Sequence, residues 1–138
     1  MPKIIVFVIT LWQMLNQGKE ENLPAQYVGK WNRGLKHGKG TYFFPNGDKY
    51  EGKWNRGLKH GKGTYFFSNG DKYEGNWKNG NQNGEGKYFF PTGDSFEGKW
   101  LHGKIHGKGI YTYPGGEKFV GEWKEGEKHI QGAIILSD

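Results

Sequence analysis

The sequence predicts an all-β fold, an antiparallel meander of tandem hairpins built from a 23-residue repeat. Three observations lead to this prediction. An aromatic residue, a glycine and a tryptophan recur together at this interval, a Gly-x-Gly-x-Tyr run follows them in each complete copy, and a glycine-bearing turn separates successive copies. A fixed period of this kind is typical of a repeat array, in which each unit buries its apolar surface mainly against its neighbours.

The repeat is clearest from Tyr50 to Lys72, which reads YEGKWNRGLKHGKGTYFFSNGDK. Complete copies span residues 27–49, 50–72, 73–95 and 96–118, and a degenerate copy spans residues 119–138. The fifth position of every copy is a tryptophan: Trp31, Trp54, Trp77, Trp100 and Trp123. Residues 1–26 stand outside the period, so the chain divides into a leader and one repeat domain.

The leader has a basic residue at Lys3, an apolar run from Ile4 to Leu15 and no acid before Glu20. This order is typical of a secretory signal peptide. The β-branched run is also compatible with an extra strand that caps the open edge of the array, or with a membrane anchor. A signal peptide predicts a secreted or periplasmic protein, whereas the other interpretations predict a cytoplasmic or peripheral membrane location.

One connection between strands has glycine as its only invariant residue, as in Pro45-Asn46-Gly47 of the first copy and at Gly70 of the second. This predicts a three-residue hairpin loop, a type I turn followed by a glycine in the left-handed region. The loop places Tyr50 opposite Tyr42. A two-residue loop would shift the register by one and pair unlike residues, so we expect the longer loop.

The other connection, from Asn55 to His60, is predicted as a six-residue loop within each repeat. It places Trp54 opposite Gly61, Gly52 opposite Gly63, and Tyr50 opposite Tyr65. Both connections assign each side chain to the same face of the sheet, because side chains alternate along a strand.

One predicted face carries a ladder of tyrosines and phenylalanines beside columns of glycine. Because glycine has no side chain, we expect tryptophan and tyrosine rings to lie over these columns and form a thin core. The residues predicted to build the repeat core are Tyr50, Gly52, Trp54, Gly61, Gly63, Tyr65 and Gly70, with Trp31, Trp77, Trp100 and Trp123 from the other copies.

The opposite face is polar, and its basic residues are concentrated at the start of the array. The net charge is +6, with five Lys or Arg against one acid in residues 27–49 and five against two in residues 50–72. Residues 73–95 carry two against three. The residues predicted to contact an anion or a lipid headgroup are Lys30, Arg33, Lys36, Lys39, Lys49, Lys53, Arg56, Lys59, Lys62 and Lys72.

The last copy departs from the pattern. Ile130 replaces a repeat glycine, and Ile134, Ile135 and Leu136 replace the aromatic strand. An atypical terminal unit is expected of a cap. The alternative is simple loss of the motif at the end of the array.

The combination Tyr-x-Gly-x-Trp-x-x-Gly, then Gly-x-Gly-x-Tyr and a glycine-containing turn, resembles the MORN (membrane occupation and recognition nexus) repeat over residues 27–138. The resemblance implies an elongated, twisted, single-layer β-meander that serves in binding or assembly without catalysis. Proteins with such repeats include junctional membrane tethers, lipid-kinase regulatory regions and cytoskeletal scaffolds. The motif residues of the family are mostly structural, so the resemblance carries over no active site.

The residues themselves argue against several chemistries. The segment from Gly34 to Thr41 departs from a phosphate-binding P-loop, because three residues separate Gly34 from Gly38 and no helix signal follows. Histidines of equivalent repeat positions lie about 9–10 Å apart, too far to share a metal ion. There is no cysteine and no Ser/His/Asp set. We therefore expect no enzyme activity, metal or cofactor.

Two functions remain. A single-layer sheet exposes two edges and an aromatic surface, which favours a protein-interaction scaffold or self-association. The alternative is peripheral binding to an anionic, phosphoinositide-type membrane surface through the basic face of the first two repeats, with Phe43 and Phe66 reaching the interface. Nucleic-acid binding would depend only on charge and interleaved aromatics, which packing already explains, so it ranks last.

Overall fold

The computed structural model describes residues 25–124 with their side chains, and the backbone alone of residues 127–135. The interpretations of the leader concern residues outside this part of the chain, apart from its last two positions. The predicted cap depends on the side chains of Ile130, Ile134, Ile135 and Leu136, which also lie outside it.

The described chain forms one open antiparallel sheet in which ten strands follow one another in sequence order, with no helix in this part of the chain. The strands are β1 Gln26–Asn32, β2 Leu35–Phe43, β3 Lys49–Asn55, β4 Leu58–Phe66, β5 Lys72–Lys78, β6 Asn81–Phe89, β7 Ser95–Leu101, β8 Lys104–Thr112, β9 Lys118–Lys124 and β10 Glu127–Ile135. The predicted all-β meander of repeated hairpins is confirmed.

The predicted three-residue loop is confirmed between β2 and β3. The Phe44 amide donates to the Asp48 carbonyl over 2.9 Å, and the Gly47 amide donates to the Phe44 carbonyl over 3.1 Å. Gly47 has a φ of 95°, a left-handed backbone conformation that residues other than glycine adopt only with strain. The register that follows pairs Tyr42 with Tyr50, as predicted.

The six-residue loop predicted within each repeat is wrong. β3 and β4 are joined by a two-residue turn, Arg56-Gly57, with φ of 49° and 83°. Two positive φ values define a type I′ turn, whose twist matches that of the flanking strands better than a longer loop does. Trp54 therefore pairs with Lys59 rather than with Gly61.

A bulge in β4 restores the predicted register farther along the hairpin. The pairing shifts between Gly52 and Trp54, so that Gly52 still faces Gly63 and Tyr50 still faces Tyr65. Gly61 lies in this bulge with φ of 68°. A Cβ on Gly61 would point toward the Lys53 side chain, 3.4 Å from Cδ, so Gly61 serves the backbone bend rather than making room for an indole.

Tyrosine rings lie over the glycines of the neighbouring strand. A Cβ added to Gly63 would lie 2.5 Å from Cζ of Tyr50, which leaves no space for any larger residue. The Tyr50 hydroxyl reaches past Gly52 and donates to the Lys53 carbonyl over 2.8 Å. The ring therefore spans two glycine positions, and the same arrangement recurs at Tyr27 and Tyr73.

The tryptophans after Trp31 join their repeats to the preceding ones. The indole N–H of Trp54 donates to the Gly40 carbonyl over 3.1 Å, and Trp77 makes the equivalent bond to Gly63. The Trp54 ring also meets Tyr27 and Tyr50 edge-on at 5.6 and 5.0 Å between centroids. The core is thus a row of aromatic rings in contact along the sheet, and Tyr50, Tyr73 and Phe96 are fully buried within it.

Trp31 differs from the other tryptophans. It is 57% exposed, whereas Trp54, Trp77, Trp100 and Trp123 are 5–7% exposed. It belongs to the edge strand β1, and no described strand precedes it to supply the carbonyl and ring that cover Trp54. The core role predicted for the tryptophans therefore depends on a preceding repeat.

Candidate functional site

The face that carries the core, called the aromatic face below, ends in an outer row of half-buried rings. The row consists of Tyr42, Phe44, Tyr65, Phe67, Tyr88, Phe90, Tyr111 and Tyr113. The ring centroids of Tyr42 and Phe44 are 4.6 Å apart, and those of Phe44 and Tyr65 are 5.5 Å apart. Only one sheet occurs in the described chain, and each of these rings keeps part of its surface exposed.

Aspartates in the turns between repeats hold this row in place. The Asp48 carboxylate accepts hydrogen bonds from the Tyr65 hydroxyl at 2.6 Å and from the Ser68 amide at 2.7 Å. Burial alone would raise the pKa of Asp48, but the hydrogen bonds from Tyr65 and Ser68 outweigh it and hold the pKa below its usual value. The carboxylate therefore links one repeat to the next.

The same contact recurs along the array. Tyr88 donates to Asp71 at 2.5 Å, and Tyr111 donates to Asp94. Burial, together with the hydrogen bond to Asp94, raises the pKa of Tyr111 to about 12. Tyr65, Tyr88 and Tyr111, whose pKa values are all raised, therefore stay protonated and oriented over the whole physiological pH range.

Lys36 and Lys59 lie on the aromatic face, which corrects their predicted place among the loop cations of the opposite face. Both belong to strands, and each pairs with a tryptophan: Lys36 with Trp31 and Lys59 with Trp54. The two-residue turn puts them there, because it brings the residue after Leu35 or Leu58 into the ladder.

The two ammonium groups lie over aromatic rings. Lys36 Nζ is 4.9 Å from the ring centroid of Tyr42 and 5.5 Å from that of Trp54. Lys59 Nζ is 5.3 Å from Trp77 and 5.5 Å from Tyr65. Burial lowers the pKa of Lys59, because the charged form loses hydration.

A cavity of about 240 Å³ lies at these two lysines. Its lining consists of Lys36, Tyr42, Phe44, Trp54, Gly57, Leu58, Lys59 and Gly80. Aromatic and aliphatic walls with two cations are suited to an anionic group attached to an apolar one. The sequence pattern missed this cavity, although the Asn79-Gly80 dipeptide signals a two-residue turn and would have placed the lysines correctly.

The opposite face, called the polar face below, carries a column of lysines across the first four strands. Lys30, Lys39, Lys53 and Lys62 are all exposed. Lys39 pairs directly with Lys53 across β2 and β3, an arrangement of like charges that destabilises the sheet unless a counter-ion is present.

Farther along the array, the lysines of the same column lie opposite glutamates of the chain, which balance their charge. Glu85 pairs with Lys99, and Lys108 pairs with Glu122. An open groove of about 500 Å³ on β4–β7 of this face is lined by residues that include Lys62, Lys87, Glu74, Glu85 and Glu97, a mixture of charges. The uncompensated positive charge of the column is therefore confined to the first two repeats.

Lys49 and Lys72 are partly engaged within the chain. Lys49 lies 3.7 Å from Glu51 and 4.5 Å from the centroid of the Phe66 ring. Lys72 makes the equivalent contacts with Glu74, at 3.6 Å, and Phe89. Phe66 is therefore overlain by a lysine, which weakens its predicted role as an anchor at a membrane interface.

Arg33 and Arg56 occupy the first position of the two-residue turns. Asn79 and His102 take that position in the next two repeats, all with φ near 50°. Both arginines are exposed at one rim of the sheet, beside the exposed Leu35 and Leu58. They lie apart from the lysine column, so the ten predicted cations divide among the two faces and this rim.

The described residues contain no group of three or more His, Asp or Glu placed to hold a metal ion. Within the same residues there is no helix of the length and apolarity needed to cross a bilayer.

Comparison with protein families identifies the repeat. The family model described as MORN repeat matches residues 27–49, 50–72, 73–95, 96–118 and 119–129. These boundaries coincide with the four complete copies read from the sequence and cover most of the chain. A comparison with curated proteins finds no significant match.

Proposed function

The chain belongs to the MORN repeat family, and from this we propose that it is a non-catalytic binding module that recognises a protein segment on its aromatic face. MORN repeats occur in protein-binding and membrane-binding modules, and the family is generally non-enzymatic. The protein itself would act by holding its partner, with no bond made or broken.

The row of outer rings carries this proposal. Tyr and Phe side chains offer large contact areas and lose little conformational entropy on binding, and they are enriched where proteins meet. Asp48 and Asp71 fix the orientation of Tyr65 and Tyr88, so the rings are organised before a partner arrives. A rigid, aromatic surface of this kind is suited to an extended chain segment.

The experiment selects peptides from a displayed random library on the full chain, then measures their affinity for two matched variants. Phe67→Ala removes a ring from the aromatic face, and Phe66→Ala removes the neighbouring ring from the polar face. We expect the first variant to bind about tenfold more weakly and the second to bind like the wild type. Equal affinity for Phe67→Ala and the wild type would exclude the aromatic face as the binding surface.

Self-association is a related form of this function. β1 is an edge strand, and Trp31 is 57% exposed where every later tryptophan is covered by the repeat before it. A second copy of the chain docked along β1 would cover it in the same way. Light scattering over a range of concentrations measures this directly: a mass that stays at one chain, 15.8 kDa, rules out self-association but leaves a foreign partner.

The lysine column on the polar face favours a second candidate, binding to an anionic membrane surface. Each basic residue near such a surface contributes about 1 kcal/mol, so four exposed lysines acting together would hold a peripheral protein at low salt. The unfavourable pairing of Lys39 with Lys53 also becomes tolerable when phosphates lie above them.

Co-sedimentation with neutral and anionic vesicles over a salt series tests the membrane candidate. The variant Lys30/Lys39/Lys53/Lys62→Ala should lose anionic binding, and the charge-matched control Lys87/Lys99/Lys104/Lys108→Ala should retain most of it. Binding that both variants lose equally would indicate net charge alone. No binding at low salt would leave the lysine column as a feature that keeps the sheet soluble.

A further inference from the structure

We propose that Lys36 and Lys59 form a pair of anion-binding positions in the aromatic face, and that they hold two carboxylates of an acidic, extended peptide. The proposal depends on the function proposed above, since it specifies which protein segment the aromatic face would accept. It adds that the bound peptide is negatively charged, that it lies over the first two repeats, and that its carboxylates have a fixed spacing.

The surroundings of the two ammonium groups are the first argument. Lys36 lies within 5.9 Å of three ring centroids and Lys59 of four. Contacts of this kind hold a cation in position without neutralising it. The ion pairs in the described chain are Lys49–Glu51 and Lys72–Glu74, so neither Lys36 nor Lys59 has a carboxylate partner there.

The Asp48 carboxylate, which contacts Tyr65 of the aromatic face, already accepts other hydrogen bonds. Asp48 accepts from Tyr65 and Ser68 and is buried, so it has little capacity left for Lys59. A half-buried ammonium with no counter-charge is costly, and a charge-assisted hydrogen bond to an incoming carboxylate offsets that cost. The site is therefore complementary to a negative group.

The position along the array is specific. The residues equivalent to Lys36 and Lys59 are Gln82 in the third repeat and Ile105 in the fourth, which pair with Trp77 and Trp100 in the same way. In the third and fourth repeats the backbone and the aromatic walls are thus kept while the cation is not. A lysine returns at this position in the fifth copy, where Lys128 pairs with Trp123, so two adjacent repeats that both carry the cation occur only at residues 27–72. An acidic segment would be directed to the first two repeats, and a neutral continuation would lie over the third and fourth.

The spacing of the two lysines limits the conformation of the ligand. Equivalent positions of adjacent repeats are two strands apart, about 9–10 Å. In a polyproline II chain, residues three apart lie on one side and about 9.3 Å apart. In a β-strand, residues on one side are about 6.6 Å apart, which does not match. The pair therefore fits acidic residues at every third position of a polyproline-like segment.

A peptide is favoured over a membrane because of where the cations lie. Both ammonium groups are in a recess beside Tyr42, Phe44 and Trp54, among half-buried rings. A planar surface would first meet the exposed lysines of the polar face. A side chain carried on an extended backbone can enter the recess.

The test uses the isotope-labelled full chain and synthetic peptides of repeated Pro-Pro-Glu units as the probe. The indole N–H signals of Trp54 and Trp77 report binding, because these rings contact Lys36 and Lys59. We expect saturable shifts with the glutamate peptide and about tenfold weaker binding of a Pro-Pro-Gln peptide. A peptide with the same composition but adjacent glutamates should bind several-fold more weakly than the regular one.

Matched variants separate charge from packing. Lys36→Met with Lys59→Met removes both charges but keeps the apolar stems, and it should weaken the glutamate peptide about tenfold. Lys39→Met with Lys53→Met removes the same charge from the polar face and should bind like the wild type. Lys36→Arg with Lys59→Arg keeps the charge and should restore most of the affinity. Urea unfolding of each variant verifies that the fold is intact.

Three outcomes would overturn the anion-binding pair: equal binding of the glutamate and glutamine peptides, wild-type affinity in the double Met variant, or no shift with the glutamate peptide. Equal binding of the two peptides on the aromatic face would still support the proposed function. Loss of binding to anionic vesicles in the double Met variant, with peptide binding unchanged, would assign the pair to lipid instead.

Discussion

Repeats one and two, residues 27–72, and repeats three and four, residues 73–118, share a backbone but differ in charge. The turn glycines Gly47 and Gly93 have φ of 95° and 100°, and the ladder registers are the same. On the aromatic face, two lysines of the first pair give way to Gln82 and Ile105. On the polar face, Lys39 opposes Lys53, whereas Glu85 opposes Lys99.

The difference separates residues that build the sheet from residues that meet a partner. Positions that need a glycine or a buried ring are constrained by the backbone and the core, so they keep a glycine or an aromatic residue in both halves. Positions whose side chains end at the surface are free to vary, and only there does the charge differ. Recognition in this protein is therefore expected in the first half, on a framework common to both.

The largest expected effect tests whether the two halves share one core. Trp54→Ala and Trp100→Ala should each lower the free energy of unfolding by about 3–5 kcal/mol, because each removes a buried ring that links two repeats. Trp31→Ala is the matched control and should change it by less than about 1 kcal/mol, since Trp31 is exposed. Urea unfolding followed by far-ultraviolet circular dichroism measures all three. A Trp54→Ala protein within 1 kcal/mol of the wild type would contradict the buried core.

The next test concerns the glycines beneath the tyrosine rings. Gly63→Ala and Gly86→Ala place a Cβ against the rings of Tyr50 and Tyr73, and each should destabilise by about 1–3 kcal/mol. Lys62→Ala, one position away on the exposed face, should remain within about 0.5 kcal/mol of the wild type. Thermal unfolding of the three variants gives the comparison. Clearly unequal losses at Gly63 and Gly86 would show that the halves pack differently.

The third test uses acid to remove the Asp48 link. Its pKa is lower in the folded than in the unfolded state, so the carboxylate stabilises the fold above about pH 4 and loses this contribution as the pH falls through the folded pKa. Asp48→Asn should destabilise by about 1.5 kcal/mol at pH 7 and flatten the loss of stability in acid.

Unfolding midpoints at a series of pH values below 7 provide the measurement for Asp48→Asn. Glu51→Gln, which changes an exposed carboxylate on the polar face, is the control and should lower the stability at pH 7 by much less than Asp48→Asn does. An Asp48→Asn variant as acid-sensitive as the wild type would show that Asp48 does not carry the link.

The smallest expected effect exchanges the charge pattern of the two halves. Lys39→Glu creates the opposite-charge pairing that Glu85 and Lys99 already have, and it should stabilise the sheet by about 0.5 kcal/mol. Glu85→Lys creates the like-charge pairing of the first half and should destabilise by a similar amount. Melting temperatures at low and high salt measure both changes, which should shrink with salt. Changes of the same sign in both variants would show that cross-strand charge pairing does not distinguish the two halves.

The fold was predictable because the sequence repeats. Tyr50, Gly52 and Gly63 recur at fixed intervals, and only one register pairs like residues, so the ladder around them follows from alternation alone. The turn at Arg56-Gly57 was missed because arginine gives no sign of a left-handed conformation. The third repeat, where Asn79 stands at that position, does give this sign.

Much of the candidate site could not be predicted, because it depends on that turn. Once Lys59 pairs with Trp54, its ammonium group lies over Trp77 and Tyr65 instead of at the basic loop expected from the sequence. The exposure of Trp31 also follows from its place at a sheet edge, although its motif is the same as that of Trp54.

The amino-acid sequence alone specifies the period, the antiparallel meander, the face of most side chains and the excess of positive charge in the first two repeats. These are consequences of alternation, glycine geometry and composition, which act locally. Three features depend on the folded sheet: which tryptophans are buried, which lysines share a face with the rings and which charges oppose one another. Such contacts join residues from different strands, and a bulge at Gly61 or a turn of two residues changes them without changing the repeat.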